Sequence, residues 1–170
     1  MKGDGNCGFY SMMNGLSHVG IEFENDINVL RKDIYDFIDQ NRDILQFSNK
    51  LPTRRSRNIF IDTEIINRCW APNVDFSQKC EYKYWLDAKS FFPIMAMYYE
   101  CNVIWYDVHK NVTKAAICKE KNGKQCQVTL ERDSFVAPKS LCVNSIWKLR
   151  VICIYYHKHF MCLNEYLKLD

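Results

Sequence analysis

The chain has 170 residues, 48% hydrophobic and 25% charged, which is the composition of a globular domain and excludes a disordered segment. A net charge of +3, with one short basic cluster at 50–57 that holds no aromatic residue, does not make a nucleic-acid surface. Nine cysteines, an odd count with no apolar leader behind Met1, read as reduced thiols in the cytosol or nucleus and not as a disulfide framework. The longest apolar runs, 91–99 and 151–156, are too short to span a bilayer, so no membrane partner is expected. The sequon at Asn111 is accordingly expected to stay unmodified.

No repeat, low-complexity tract or linker divides the sequence, and residues 1–170 are read as a single domain. A short helix is expected from Cys7 to about Leu16, entered from a Gly-rich turn and ended near Gly15. A second starts at an Asn25 or Asp26 cap and runs to about Gln40. Its residues Ile27, Leu30, Ile34, Phe37 and Ile38 recur at three- and four-residue steps and build one buried face. Residues 44–58 read as a polar loop, and 59–70 is open between a helix and an irregular segment. Asp87 can cap a third helix, 88–100, with Phe91, Met95 and Tyr98 on one side and Pro93 set to kink or delay its first turns. The pattern then changes to β-branched, aromatic or alternating runs at 103–106, 115–118, 125–130, 149–156 and 160–163. Asn122-Gly123 lies between two of them as a hairpin signal. Helices first and strands afterwards predict an α+β domain with a mostly local sheet.

The most informative string is Gly3-Asp4-Gly5-Asn6-Cys7-Gly8-Phe9-Tyr10-Ser11. A cysteine that opens a helix feels the positive end of the helix dipole and unpaired amides, which favour the thiolate. The backbone amides of Asp4, Gly5, Asn6 and Cys7 can donate to an oxyanion on an attacked carbonyl. The small residues Gly3, Gly5 and Gly8 let a substrate backbone come close. A phosphate-cradling loop is excluded, because the string lacks the Gly-Lys-Ser/Thr ending and follows no predicted strand. A cysteine nucleophile needs a base. His18 and His109 read as surface residues, whereas His157 and His159 lie between two β runs, two residues apart and able to face one site.

Gly-Asp-Gly-Asn-Cys followed by an aromatic and Ser resembles the nucleophile motif of the ovarian-tumour (OTU) cysteine proteases, and His159-Phe160 after a β run resembles that family's His-aromatic motif. The stretch 30–38, beginning Leu30-Arg31, is similar to the Leu-Arg helix of the family. Trp85-Leu86-Asp87 and then Val103-Ile104-Trp105-Tyr106 are similar to its Trp-containing loop and the strand that follows. Together these segments cover residues 3–163 in the family's order. The resemblance implies a papain-like α+β fold, a small mostly antiparallel sheet packed between helices with the nucleophile at a helix N-terminus. It implies a deubiquitinase, with ubiquitin, polyubiquitin or a ubiquitin-like modifier as partner and no metal or other cofactor. Cys7 is then the nucleophile, His159 the general base and Asp4 the third member, with Trp85 and Phe160 as walls of a narrow channel for a Gly-Gly tail.

Two departures stand against the family pattern. The position two residues after the base, often Asn or Asp, is Met161, which cannot orient an imidazole by a strong hydrogen bond. Asp4, Asn6 or, with a break in strand alternation, Asn164 would have to serve instead. The motif also begins at residue 3, as expected of a monomer lacking the preceding segment or of a domain from a longer polypeptide. Met161 motivates an alternative, a ubiquitin-binding domain with weakened or lost catalysis. A second alternative is a zinc module built from Cys153, His157, His159 and Cys162, a spacing that matches no familiar zinc pattern.

Overall fold

A computed structural model of the protein describes residues 4–42, 64–107, 112–119, 125–128, 151–157 and 159–162. In chain order they form α1 (Cys7–His18), α2 (Ile27–Gln40), α3 (Ile65–Cys69), a 3₁₀ turn (Tyr82–Tyr84) and α4 (Ala88–Tyr98). The strands β1 (Asn102–Asp107), β2 (Val112–Lys119), β3 (Gln125–Val128), β4 (Val151–His157) and β5 (His159–Cys162) follow. The expected polar loop at 44–58 and the Asn122-Gly123 turn lie outside the described residues, as do the basic cluster, Asn111 and His109.

Helix α1 runs past Gly15, where the sequence suggested a stop. Gly15 is buried inside the helix, and the chain turns at Gly20 instead, whose φ is +69°. There the Ile21 N–H bonds the Leu16 carbonyl at 3.0 Å and the Gly20 N–H bonds the Ser17 carbonyl at 3.2 Å, a Schellman ending that needs glycine in the left-handed region. Helix α2 starts at Asp26, whose carboxylate accepts from the Asn28 and Val29 N–H groups at 2.8 and 3.3 Å. Its buried face holds Ile27, Leu30, Ile34 and Ile38, and it also holds Arg31. Phe37, expected on that face, is half-buried at its edge, with its ring 5.3 Å from that of Tyr98.

Asp87 accepts from the Ser90 N–H at 3.1 Å and caps α4, which runs through Pro93 without ending. The missing proline N–H removes one bond near the start of the helix, where burial outweighs it. Phe91, Phe92, Ile94, Met95 and Ala96 are all buried, so α4 is apolar around most of its circumference and not on a single side. The strands β1, β2 and β3 lie against it.

The sheet has the order β3-β2-β1-β4-β5. β2 pairs antiparallel with β1 and with β3, and β5 antiparallel with β4. The pair β1–β4 is parallel, with Val103 opposite Ile152 and Trp105 opposite Ile154. The sheet is therefore less local than the strand succession suggested, since parallel neighbours cannot be joined by a tight turn. Val103, Ile104 and Trp105 of β1 are all buried, the pattern of a central strand covered on both faces. An aromatic chain links α1 to this strand, with ring centres of Phe9 and Phe91 4.6 Å apart, Phe91 and Phe92 5.4 Å, and Phe92 and Trp105 5.3 Å.

Two substitutions separate the local and tertiary contributions to α2. Asp26→Ala should cost about 1 kcal/mol through the lost cap. Ile34→Ala should cost about 2–5 kcal/mol through the cavity it leaves. Urea unfolding checks both, and similar losses for the two would contradict the packing described.

Candidate active site

The backbone between Asp4 and Cys7 makes a tight turn that only glycine can serve. Gly5 has φ +92°, and a Cβ there would stand 2.3 Å from the Cys80 sulfur and 2.6 Å from Trp85 Nε1. The peptides of this turn are tied down one by one. The Asp4 carbonyl accepts from the Cys80 N–H at 2.9 Å and from the Cys80 thiol at 3.2 Å. The Gly5 carbonyl accepts from Arg31 Nη2 at 3.4 Å, and the Asn6 N–H at the other end of that peptide donates to the Asp4 carboxylate at 2.8 Å. The Asn6 carbonyl accepts from the Tyr10 N–H at 3.0 Å and begins α1.

Among the described residues every peptide bond is trans, so each N–H points opposite the carbonyl of its own peptide. The Gly5 N–H is therefore directed away from Cys80, and the Cys7 N–H out of the N-terminus of α1. The Asn6 N–H, counted in the sequence among the oxyanion donors, is committed to the Asp4 carboxylate, whose charge outcompetes a transient acceptor. Asp4, Gly5 and Cys7 remain as donors from that set.

Cys7 is the first residue of α1 and is half-buried, with a free thiol. Asn6 occupies the position from which a side chain would normally cap the helix, but it makes no capping bond. Its amide is drawn elsewhere, with Nδ2 donating to the Phe76 carbonyl at 2.7 Å and Oδ1 accepting from Arg31 Nε at 2.9 Å. The first turn holds no acidic residue either, so the positive end of α1 stays open where the thiol sits.

Arg31 is the residue whose structural part the sequence did not disclose. It is 0% exposed, and its guanidinium lies between two aromatic faces, 4.6 Å from the ring centre of Phe9 and 4.3 Å from that of Phe76. Besides Gly5 and Asn6 it reaches the Cys69 carbonyl at 2.9 Å and the Arg68 carbonyl at 3.1 Å, at the C-terminus of α3, and the Tyr84 carbonyl at 3.4 Å. Burial draws its pKa down, against the pull of the Cys69 and Cys80 thiols and the Asp4 carboxylate. One signal was present: Arg31 falls four residues after Ile27 and three before Ile34, on the apolar stripe of α2.

Asp4 is buried and its carboxylate works within the turn, taking the Asn6 N–H. Burial first, and the Asp4 carboxylate second, push the Tyr10 hydroxyl pKa up. Trp85 is half-buried, with its indole against Gly5 and its N–H donating to the Cys80 carbonyl at 3.4 Å. The ring of Tyr82, 82% exposed, rests 5.3 Å from that of Trp85.

His18 is exposed in the last turn of α1. His157 and His159 are not two apart in one strand, because His157 ends β4 and His159 opens β5, and the two are register partners across that antiparallel pair. β5 and β4 both lie against α1, which brings the strand of His159 to the helix that Cys7 opens. The side chains of His157, His159, Phe160, Met161, Cys153 and Cys162 lie outside the described part of the structure, and Asn164 lies outside it altogether. Among the described residues no group of three or more His, Cys, Asp or Glu could hold a metal, and no helix is long and apolar enough to cross a membrane. No protein-family model matches the chain, and no curated protein and no solved structure matches it.

Gly5→Ala should disable the site, since the added Cβ meets Cys80 and Trp85 and the backbone is strained as well. The expected result is a lower urea midpoint together with altered reactivity of Cys7; an unchanged midpoint would contradict the close approach. A pH dependence follows from Cys69, whose thiol burial pushes up to about 12. Unfolded, that thiol ionises at its ordinary value near 8.5, so the stability it contributes is complete below that pH and is lost as pH rises toward about 12. Between these limits the urea midpoint of the wild type should fall more steeply than that of Cys69→Ala, and parallel slopes would refute the burial of the thiol.

Proposed function

We propose that the protein is a deubiquitinase of the OTU type with a papain-like α+β fold. In this reading it is a cysteine isopeptidase that cleaves ubiquitin or a ubiquitin-like modifier from lysine. The observation that carries the reading is the position of Cys7. It opens α1 at an uncapped N-terminus, behind a turn whose pinned peptides direct the Gly5 and Cys7 N–H groups outward. The approach of β5 to α1 supports His159 as its base.

The chemistry is acyl transfer. The Cys7 thiol gives its proton to His159, the resulting thiolate attacks the carbonyl carbon of the modifier's C-terminal glycine, and the electron pair displaced onto oxygen is met by the Gly5 and Cys7 amides. One such donor is worth about 10²–10³ in rate. Collapse of the tetrahedral species breaks the C–N bond, and the lysine amine leaves with a proton from His159. Water then attacks the thioester, His159 takes its proton, the C–S bond breaks to restore the Cys7 thiolate, and the free carboxylate departs. Asp4 acts here by closing the turn with its carboxylate. Trp85, seated against Gly5, forms one wall of a channel that admits a Gly-Gly tail, with Phe160 as the other. No metal or other cofactor takes part, and a place in the cytosol or nucleus fits the substrate.

A ubiquitin bearing a C-terminal electrophile tests the proposal. An adduct on Cys7 that disappears in Cys7→Ala is the expected result, and its absence in the wild type would sink the enzyme reading in favour of a ubiquitin-binding domain. His159→Ala should abolish hydrolysis of a ubiquitin C-terminal amide while His157→Ala keeps most of it. The reverse would transfer the base to His157.

A further inference from the structure

We infer that Arg31 is a positioning residue for acyl transfer at Cys7, acting through the Gly5–Asn6 peptide. The inference rests on Cys7 being an acyl-transfer nucleophile, and not on ubiquitin being its substrate. Arg31 is fully buried on α2 and makes no catalytic contact of its own. Its fork holds two points of the nucleophile turn at once, with Nε on the Asn6 side chain at 2.9 Å and Nη2 on the Gly5 carbonyl at 3.4 Å. The far end of the same peptide, the Asn6 N–H, is held by Asp4 at 2.8 Å.

The direction of this peptide matters because it lies between the two that supply the outward amides. Turning this peptide over changes ψ of Gly5 and φ of Asn6, and neither resists strongly, since glycine has no Cβ and asparagine is among the residues that enter positive φ. If it turned over, the Gly5 carbonyl would leave Arg31 and face the Asp4 carboxylate that now accepts from the Asn6 N–H, two like dipoles with no donor between them. The dihedral angles that relate the Gly5 and Cys7 N–H groups would change with it. A lysine at position 31 keeps the charge but has one nitrogen, and cannot hold the Asn6 oxygen and the Gly5 carbonyl in the planar fork. The Nε bond also keeps the Asn6 side chain away from the helix end it would otherwise cap.

Two reactions at the same sulfur separate this role from general support of the fold. With p-nitrophenyl acetate the thiolate forms a C–S bond to the carbonyl carbon and an oxyanion develops. The C–O bond then breaks and p-nitrophenolate leaves an acetyl thioester on Cys7. With iodoacetamide the thiolate displaces iodide and no oxyanion forms. In Arg31→Lys, acetylation of Cys7 should fall by about 10²-fold, the worth of one oxyanion donor, while alkylation stays close to the wild-type rate. Asn6→Ala, which removes the acceptor of Nε but no capping bond, should show the same selective loss to a smaller extent. Mass spectrometry of the Cys7 peptide reads both rates, and alkylation of buried Cys69 in the same samples reports unfolding. If Arg31→Lys does not fold, Asn6→Ala decides. Acetylation and alkylation that fall together, or neither falling, overturn the inference. Failure of the ubiquitin electrophile to label the wild type would remove the deubiquitinase reading and leave this rate ratio to decide the role of Arg31.

Discussion

The arrangement of the site depends on one buried cation. Placing a guanidinium out of water costs several kcal/mol, and the cost is tolerable only when donors and charge are matched by the surroundings. For Arg31 the match comes from backbone carbonyls, the Asn6 side chain and two aromatic faces. These partners belong to the nucleophile turn, to the end of α3 and to the 3₁₀ turn before Trp85, segments far apart in sequence. Because a buried cation left without acceptors is so unfavourable, the segments are obliged to meet around it. Asn28, one turn earlier on α2, adds to the effect by accepting from the Phe76 N–H at 2.7 Å and donating to Asp75 at 3.0 Å. Helix α2 is therefore the scaffold on which the loop from Asp75 to Trp85 and the turn before Cys7 are assembled.

Local stability is given up at the same place. An uncapped helix start forgoes about 1 kcal/mol, and a turn with glycine at φ +92° carries the entropy cost of glycine. Asn6 is a residue type that would cap α1 if its amide were free, and it is held by Phe76 and Arg31 instead. What the fold retains in exchange is a first turn whose amides no capping side chain takes, beside a half-buried thiol, a condition that favours an anion over the resting helix.

The parts of this structure legible in the sequence were those governed by local rules. The stripe of α2, the Asp26 and Asp87 caps and the opening of α1 at Cys7 follow from helix periodicity and capping chemistry alone. Gly15 misled because a glycine in a helix can serve packing as well as termination; only the hydrogen bonds at Gly20 distinguish the two. The encirclement of α4 by core was hidden for a related reason, since Phe92, Ile94 and Ala96 look like the off-face residues of an amphipathic helix until a sheet and two helices close over them. The β1–β4 pairing is non-local and no turn signal announces it. Of the site, the turn and its cysteine were legible and the clamp was not, because hydrogen bonds to backbone carbonyls leave no mark on residue identity. Arg31 on an apolar stripe was the one trace.

The relation between Cys7 and the strand of His159 is set by core packing more than by loops. Phe9, two residues into α1 from Cys7, packs at a tilt against Phe91, which continues through Phe92 to Trp105 in the middle of β1. β1 hydrogen-bonds to β4, and β4 to β5, so the position of β5 is referred back to β1 across two ladders. Phe9 also bears on the Arg31 guanidinium, which makes it the residue shared by the clamp and the aromatic chain. A change in that ring would therefore reach both the turn and the sheet, whereas Arg31 bonds the turn directly and meets the aromatic chain through Phe9. The nucleophile and the proposed base are in this sense positioned by separate parts of the core that meet at Phe9.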